Sequence, residues 1–170
     1  MEEVQFRIAC REDLSKIVEI YNSTVPLRTV TADTEPVSVQ SRQAWFDAHV
    51  PDKYPLWVME NIAGEIWGWM SFQPFYGRPA YAATVEVSIY LDESCRGKGW
   101  GRRALRYCIE QAPKYGIKNL LGFIFEHNVP SLRLFESLGF SIWGKLPRIA
   151  VLDGREYGLD ILGKKVTVPE

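Results

Sequence analysis

Cysteine is scarce in this 170-residue chain, and the few present build no framework. Cys10, Cys95 and Cys108 are odd in number and lack metal-ligand spacing. They exclude a disulfide scaffold and a cysteine metal site, and they fit free thiols in a reducing cytoplasm. Cys95, although beside a basic stretch, reads as a packing residue. Net charge is also nearly absent: 20 Lys+Arg against 21 Asp+Glu leave −1 at pH 7. The chain as a whole is therefore no electrostatic match for nucleic acid. No apolar run is long enough to span a bilayer and nothing reads as a signal peptide, so no membrane partner is expected. Repeats, low-complexity segments and linkers are missing as well, which leaves one domain over 1–170.

What is present can fold. The chain is 46% hydrophobic and carries six tryptophans, enough for a proper core. Short strands are predicted at Phe6–Cys10, Leu56–Glu60, Ile66–Phe72, Thr84–Leu91, Leu120–Phe125, Ser141–Lys145 and Arg155–Leu162. Apolar stripes at helical spacing follow Leu14, Ala44, Leu105 and Ser131, with Ser38 placed to cap the second helix. This is an α/β (α+β) chain with a mixed, mostly antiparallel sheet and helices on both faces. The strands at 84–91 and 120–125, joined by a crossover helix, must be its one parallel pair.

The turn between Thr84–Leu91 and the helix after it is the most informative stretch. It reads Arg96-Gly97-Lys98-Gly99-Trp100-Gly101-Arg102-Arg103. Glycines let backbone N–H groups converge, and a helix N-terminus adds partial positive charge, so the unit suits a pyrophosphate. A P-loop is excluded because Gly99, not a hydroxyl residue, follows Lys98. Gly99-x-Gly101-x-x-Ala104 fits a dinucleotide fingerprint, with Glu126 roughly 20 residues on, but too little chain follows for a second nucleotide-binding half.

Arg96-x-x-Gly99-x-Gly101 resembles the pyrophosphate loop of the GNAT acyltransferase superfamily, which binds acetyl-CoA. The next superfamily motif follows in order, from Asn128-Val129-Pro130-Ser131 to Leu138-Gly139-Phe140. Thr84-Val85-Glu86-x-Ser88-x-Tyr90 and Thr34-Glu35-Pro36 are similar to the phosphinothricin N-acetyltransferase and L-amino acid N-acyltransferase group. The resemblance implies a GNAT fold and direct acetyl transfer from acetyl-CoA to the primary amine of an amino acid or amino-acid-like compound. It calls for no metal, and it admits a homodimer paired through the last strands. Two alternatives stand beside it: a peptide or protein N-terminal acetyltransferase, and a non-catalytic CoA-binding module.

Residue roles follow. In an alternating strand Glu86, Ser88 and Tyr90 share one face, and Glu86 amid apolar neighbours is the candidate general base. The resemblance carries cofactor binding to Ile89, Tyr90 and Leu91 through their backbone. It also carries it to Arg96, Gly97, Lys98, Gly99, Trp100, Gly101 and Arg102, and to Asn128. Ser131 reads first as an N-cap and also as a cofactor contact. The acceptor is expected near Thr29, Asp33, Phe75 and Tyr81. Ala32-Asp33 replaces the aromatic and arginine of the phosphinothricin enzymes, which suggests a cationic acceptor and poor use of phosphinothricin. Phe135 stands where many members have a proton-donating tyrosine, leaving water, Tyr90 or Tyr157 for the thiolate. His127 reads as a surface residue.

Overall fold

The computed structural model describes residues 2–166. Its elements, in chain order, are β1 (Val4–Ile8), α1 (Leu14–Thr24), α2 (Gln43–Asp47), β2 (Leu56–Asn61), β3 (Ile66–Pro74) and β4 (Thr84–Leu91). They are followed by α3 (Trp100–Gln111), β5 (Asn119–Phe125), α4 (Val129–Ser137), β6 (Ser141–Leu152) and β7 (Arg155–Lys165). One seven-stranded sheet runs β1-β2-β3-β4-β5-β7-β6. Every neighbouring pair is antiparallel except β4 and β5.

Strand alternation divides the core between two faces. Met70, Phe72, Val85, Val87, Leu120 and Leu162 point toward α3 and α4, where Ala104, Leu105, Cys108 and Phe135 complete the larger cluster. Leu56, Val58 and Trp69 point the other way, against Ile17 and Ile20 of α1. Cys95 and Cys108 are both buried, as packing residues should be.

Some boundaries differ from the expected ones. β1 stops at Ile8 rather than Cys10 because the Cys10 N–H turns to the Asp13 carboxylate at 2.8 Å, closing a turn into α1. β6 and β7 are longer than expected. Pro147 interrupts the sequence pattern, yet it lies in a register shift between Leu146 and Ala150 where no ladder donor is required. Ser38 does not cap α2 itself, whose N-cap is Arg42; its hydroxyl accepts from the Ser41 N–H at 3.1 Å and closes the turn before the helix.

Candidate active site

Strands β4 and β5 are paired over only three rungs, Thr84 with Asn119, Val85 with Leu120 and Glu86 with Leu121. Beyond Glu86 the two strands part. β4 stays paired to β3 as far as Leu91, and β5 stays paired to β7 as far as Phe125. The gap between them opens a cleft of about 520 Å³ lined by Ser88, Ile89, Tyr90 and Leu91 on one side and Gly122, Phe123 and Ile124 on the other. Backbone groups along such a gap lack a neighbouring strand, so an extended ligand can supply the missing partner.

The cleft runs to the glycine-rich turn. Arg96, Gly97, Gly99, Gly101, Arg102, Asn128 and Ser131 all line it. Gly97 and Gly99 have φ of +73° and +85°, left-handed values that favour glycine. A Cβ at either would meet nothing within 4 Å, so the space beside the backbone is open to a ligand. Gly101 differs: it is an ordinary helical residue whose Cβ would meet Leu134 at 3.3 Å, so it serves close packing of α3 on α4. The first bond of α3 runs from Arg103 N–H to Gly99 C=O. Among the described residues the amides of 97–102 take no backbone acceptor, which leaves them available to an anion. Arg96 is held by donating to Ser23 Oγ at 2.8 Å, and Arg102 by donating to Ser137 Oγ at 2.5 Å. These residues fit a pyrophosphate.

On the face opposite Val85 and Val87, Glu86 stands in the wall between that cleft and a second, smaller cavity. Burial raises its carboxyl above the ordinary value. Among the described residues it has no ion-pair or hydrogen-bond partner, so nothing counters that effect. A half-buried carboxyl with a raised pKa is a stronger base than an ordinary carboxylate. Ser88 and Tyr90 also line both cavities. The smaller one, about 140 Å³, is completed by Tyr21, Arg42, Trp45, Trp69 and Gln73.

Arg42 and Gln73 were absent from the expected site. Gln73 pairs directly with Glu86 across β3 and β4. The signal for Arg42 was its helical spacing from Trp45, three residues on.

Several expected residues lie elsewhere. Phe75 and Tyr81 line neither cavity; they form a surface groove with Trp143, Ile161 and Lys165, because Phe75 stacks toward Phe123 past the end of the paired strands. Thr29 does reach the cleft. Asp33 is not a free acid for a cationic acceptor. It accepts from Arg42 at 3.0 Å and from the Tyr21 hydroxyl, so one of its oxygens is already engaged within the chain. That removes the stated ground for expecting poor use of phosphinothricin.

Trp100 turns into the core, 8% exposed and 5.2 Å from the Trp67 ring, so only its backbone can serve a ligand. Lys98 is exposed and lines neither cavity. Ser131 is not the cap of α4. Asn128 is, its side chain accepting from the Ser131 N–H at 3.3 Å. Glu126 accepts from the Gly158 N–H at 3.1 Å on β7 and lines neither cavity. His127 does have a partner: its Nε2 donates to the Arg28 carbonyl at 2.7 Å, and its ring lies between Phe125 and Tyr157.

That stack occupies Tyr157, which lines neither cavity. Burial pushes the Tyr90 phenol well above its usual range. A thiol ionises at about 8.5 and a phenol at about 10 even in water, so transfer from Tyr90 to a thiolate runs uphill. Phe135 packs its ring edge over Gly122, where a Cβ would come within 2.6 Å. No side chain acid faces the cleft at that position, and a thiolate is a fair leaving group without one.

Comparison with known proteins agrees with this geometry. The family model described as Acetyltransferase (GNAT) family matches residues 15–140. YwnH of Bacillus subtilis, provisionally named a phosphinothricin acetyltransferase, is 52% identical over 161 residues, covering 95% of this chain and 98% of its own. The L-methionine sulfoximine/L-methionine sulfone acetyltransferase of Pseudomonas paraeruginosa is 38% identical, covering 84% of this chain and 83% of its own. YncA of Salmonella typhimurium, solved with its cofactor acetyl-CoA, superimposes with a TM-score of 0.90 at 30% identity, covering 97% of this chain and 95% of that one.

Proposed function

This chain belongs to the GNAT acetyltransferase family, and from that premise we propose that it is a single catalytic domain with Glu86 as its general base. The enzyme moves an acetyl group from acetyl-CoA to the primary amine of an amino acid or amino-acid-like compound. Acetyl-CoA supplies the activated acyl group as a thioester. The chain's own residues do the rest. The amides of Gly97 to Arg102, with Arg96 and Arg102, hold the pyrophosphate. The unpaired edge of β4 from Ser88 to Leu91 holds the extended arm. Glu86 accepts a proton from the acceptor's ammonium, because an ammonium has no lone pair with which to attack.

The observation that carries this reading is the position of Glu86 in the wall shared by the long cleft and the small cavity. A base there reaches an amine entering from one side and an acyl group arriving from the other. The free thiols Cys10, Cys95 and Cys108 support an intracellular, reducing setting.

An amine panel followed by free-thiol release from acetyl-CoA tests the reading. L-methionine sulfone, phosphinothricin and other free amino acids should be turned over in preference to peptides. A preference for peptide N-termini, or no turnover with any amine, would reject it.

The functional unit is proposed to be a homodimer. β6 is an edge strand that exposes Trp143, Leu146, Ile149 and Val151 over one continuous run. Such an edge invites pairing with another strand. Light scattering coupled to chromatography should report twice the chain mass, and Ile149→Glu with Val151→Glu should return it to one.

A further inference from the structure

Abstraction of a proton by Glu86 requires an acceptor turned with its nitrogen toward that carboxylate. The small cavity has one feature able to turn it. Its walls are mostly aromatic or apolar, from Ile17, Tyr21, Trp45, Trp69 and Tyr90, and one cationic side chain lines it: Arg42.

Arg42 is held in place from several sides. Its guanidinium lies 4.9 Å from the Tyr21 ring centroid and 5.8 Å from that of Trp45. Contact with aromatic faces restrains the guanidinium plane while leaving the N–H groups on its edge available. Nη2 donates to Asp33 at 3.0 Å. That is the single hydrogen bond given by this guanidinium among the described residues. An arginine carries five N–H donors in a rigid fork, so most of the fork is uncommitted. The side chain is only 27% exposed, which places those donors in a half-closed space rather than in open solvent.

Resting on the acetyltransferase reading, we infer that Arg42 binds the carboxylate of the acceptor, so that the cavity selects α-amino acids over simple amines. The charges match in order. A free amino acid carries a carboxylate and an ammonium on one carbon, and the cavity offers Arg42 and Glu86. Arg–carboxylate bonds are among the stronger ones in proteins, and the fork geometry fixes direction as well as affinity. An amine without the carboxylate leaves the guanidinium unpaired, and a site built for a charged group discriminates against analogues that lack it. Asp33 acts as a positioning residue, tying one end of the guanidinium so that the other end stays presented.

The probes are L-methionine sulfone, its primary amide, and the corresponding amine lacking the carboxyl group. Each is titrated by calorimetry into protein saturated with CoA, and each is run as acceptor with acetyl-CoA. Arg42→Gln and Arg42→Lys should weaken sulfone binding roughly ten- to a hundredfold while changing the amide and amine by less than about twofold. Lysine keeps the charge but not the fork, and unchanged acetyl-CoA affinity in either variant certifies its fold. Equal losses on all probes would make Arg42 a merely structural wall and overturn the inference. So would an unchanged sulfone affinity, or no measurable sulfone binding to the wild type. Should the wild type bind the sulfone through Arg42 yet acetylate none of the probes, the functional reading fails and this one stands.

Discussion

Glu86 is paired with Leu121 at the last rung before β4 and β5 separate. The residue with the raised carboxyl pKa is therefore also the residue at which the sheet opens. Upstream of it the sheet is continuous and gives Glu86 a rigid mount. Downstream the cleft begins, so the same carboxylate faces the place where an extended cofactor arm has to end.

Replacing Glu86 by Gln should lower turnover by on the order of 10²- to 10⁴-fold while leaving acetyl-CoA affinity nearly unchanged. In the wild type, activity should fall as pH drops through the raised Glu86 pKa, since a protonated carboxyl accepts nothing. The defect of the variant should shrink at high pH, where more acceptor amine is already neutral. Rate–pH profiles of both proteins on the best acceptor check this.

The same substitution should stabilise the fold. Burial raises Glu86 in the folded state above its unfolded value, so the folded chain holds that proton to higher pH. Stability is thereby lost as pH rises from the ordinary carboxylate value of about 4.3 through the raised one. The neutral Gln escapes the penalty. Its Tm should exceed that of the wild type at neutral pH, and the two should converge below the ordinary value. Scanning calorimetry over a pH series measures the gap; a lower Tm for the variant at neutral pH would contradict the argument.

Gly99→Val and Gly101→Ala should fail differently. Valine at φ +85° strains the backbone by about 1–2 kcal/mol and puts a branched side chain beside the anion site. It should abolish acetyl-CoA binding in a protein that still folds. Gly101 is conformationally ordinary, and alanine there asks only Leu134 to give way. Its loss of affinity should be smaller. Isothermal titration of both variants ranks them.

Arg102→Ala should weaken acetyl-CoA binding more at low than at high salt. The side chain is exposed at the cleft rim, where charges are screened over about 10 Å at 0.1 M salt. A loss of affinity indifferent to ionic strength would speak against a phosphate contact.

Away from the site, Arg7 bridges Asp13 at 2.7 Å and Glu60 at 2.9 Å, two carboxylates whose side chains are each 8% exposed. Arg7→Leu removes the cation from both and leaves Glu60 with Gln5 and Asp13 with Cys10; because Arg7 is itself 37% exposed, the cost should be about 2 kcal/mol, the scale of a lost hydrogen bond to a charged group. Burial alone would raise Asp13, but hydrogen bonds from Arg7 and Cys10 outweigh it, and Arg7 lowers Glu60 directly. Their contribution is complete above the ordinary carboxylate range and is lost as pH falls through the depressed values. The Tm difference between variant and wild type should therefore narrow in acid.

Local sequence carried the cofactor side of the site well. Period-two alternation identifies the face of β4 that holds Glu86, Ser88 and Tyr90, and the glycine spacing marks the turn at Gly97 and Gly99. These features are local in the chain, so spacing alone exposes them. The acceptor side depends on contacts between distant segments. Nothing near Asp33 in sequence shows that Arg42 and Tyr21 engage it. Nor does any pattern at Phe75 and Tyr81 tell which part of a shared face they cover. Trp100 is a different case: it sits inside the glycine motif, and motif membership hides the fact that its ring belongs to the core.

The short pairing of β4 with β5 also leaves a signature in the exchange of protons with water. Successive N–H groups along a strand point alternately to its two neighbours. β3 accompanies β4 as far as Leu91, whereas β5 leaves it after Glu86. From Val87 onward, then, every second amide of β4 has a strand partner and the ones between do not. Slow and fast exchange should alternate residue by residue along this strand and merge into uniform protection as acetyl-CoA is added, turning the open seam into a ruler read in amide lifetimes.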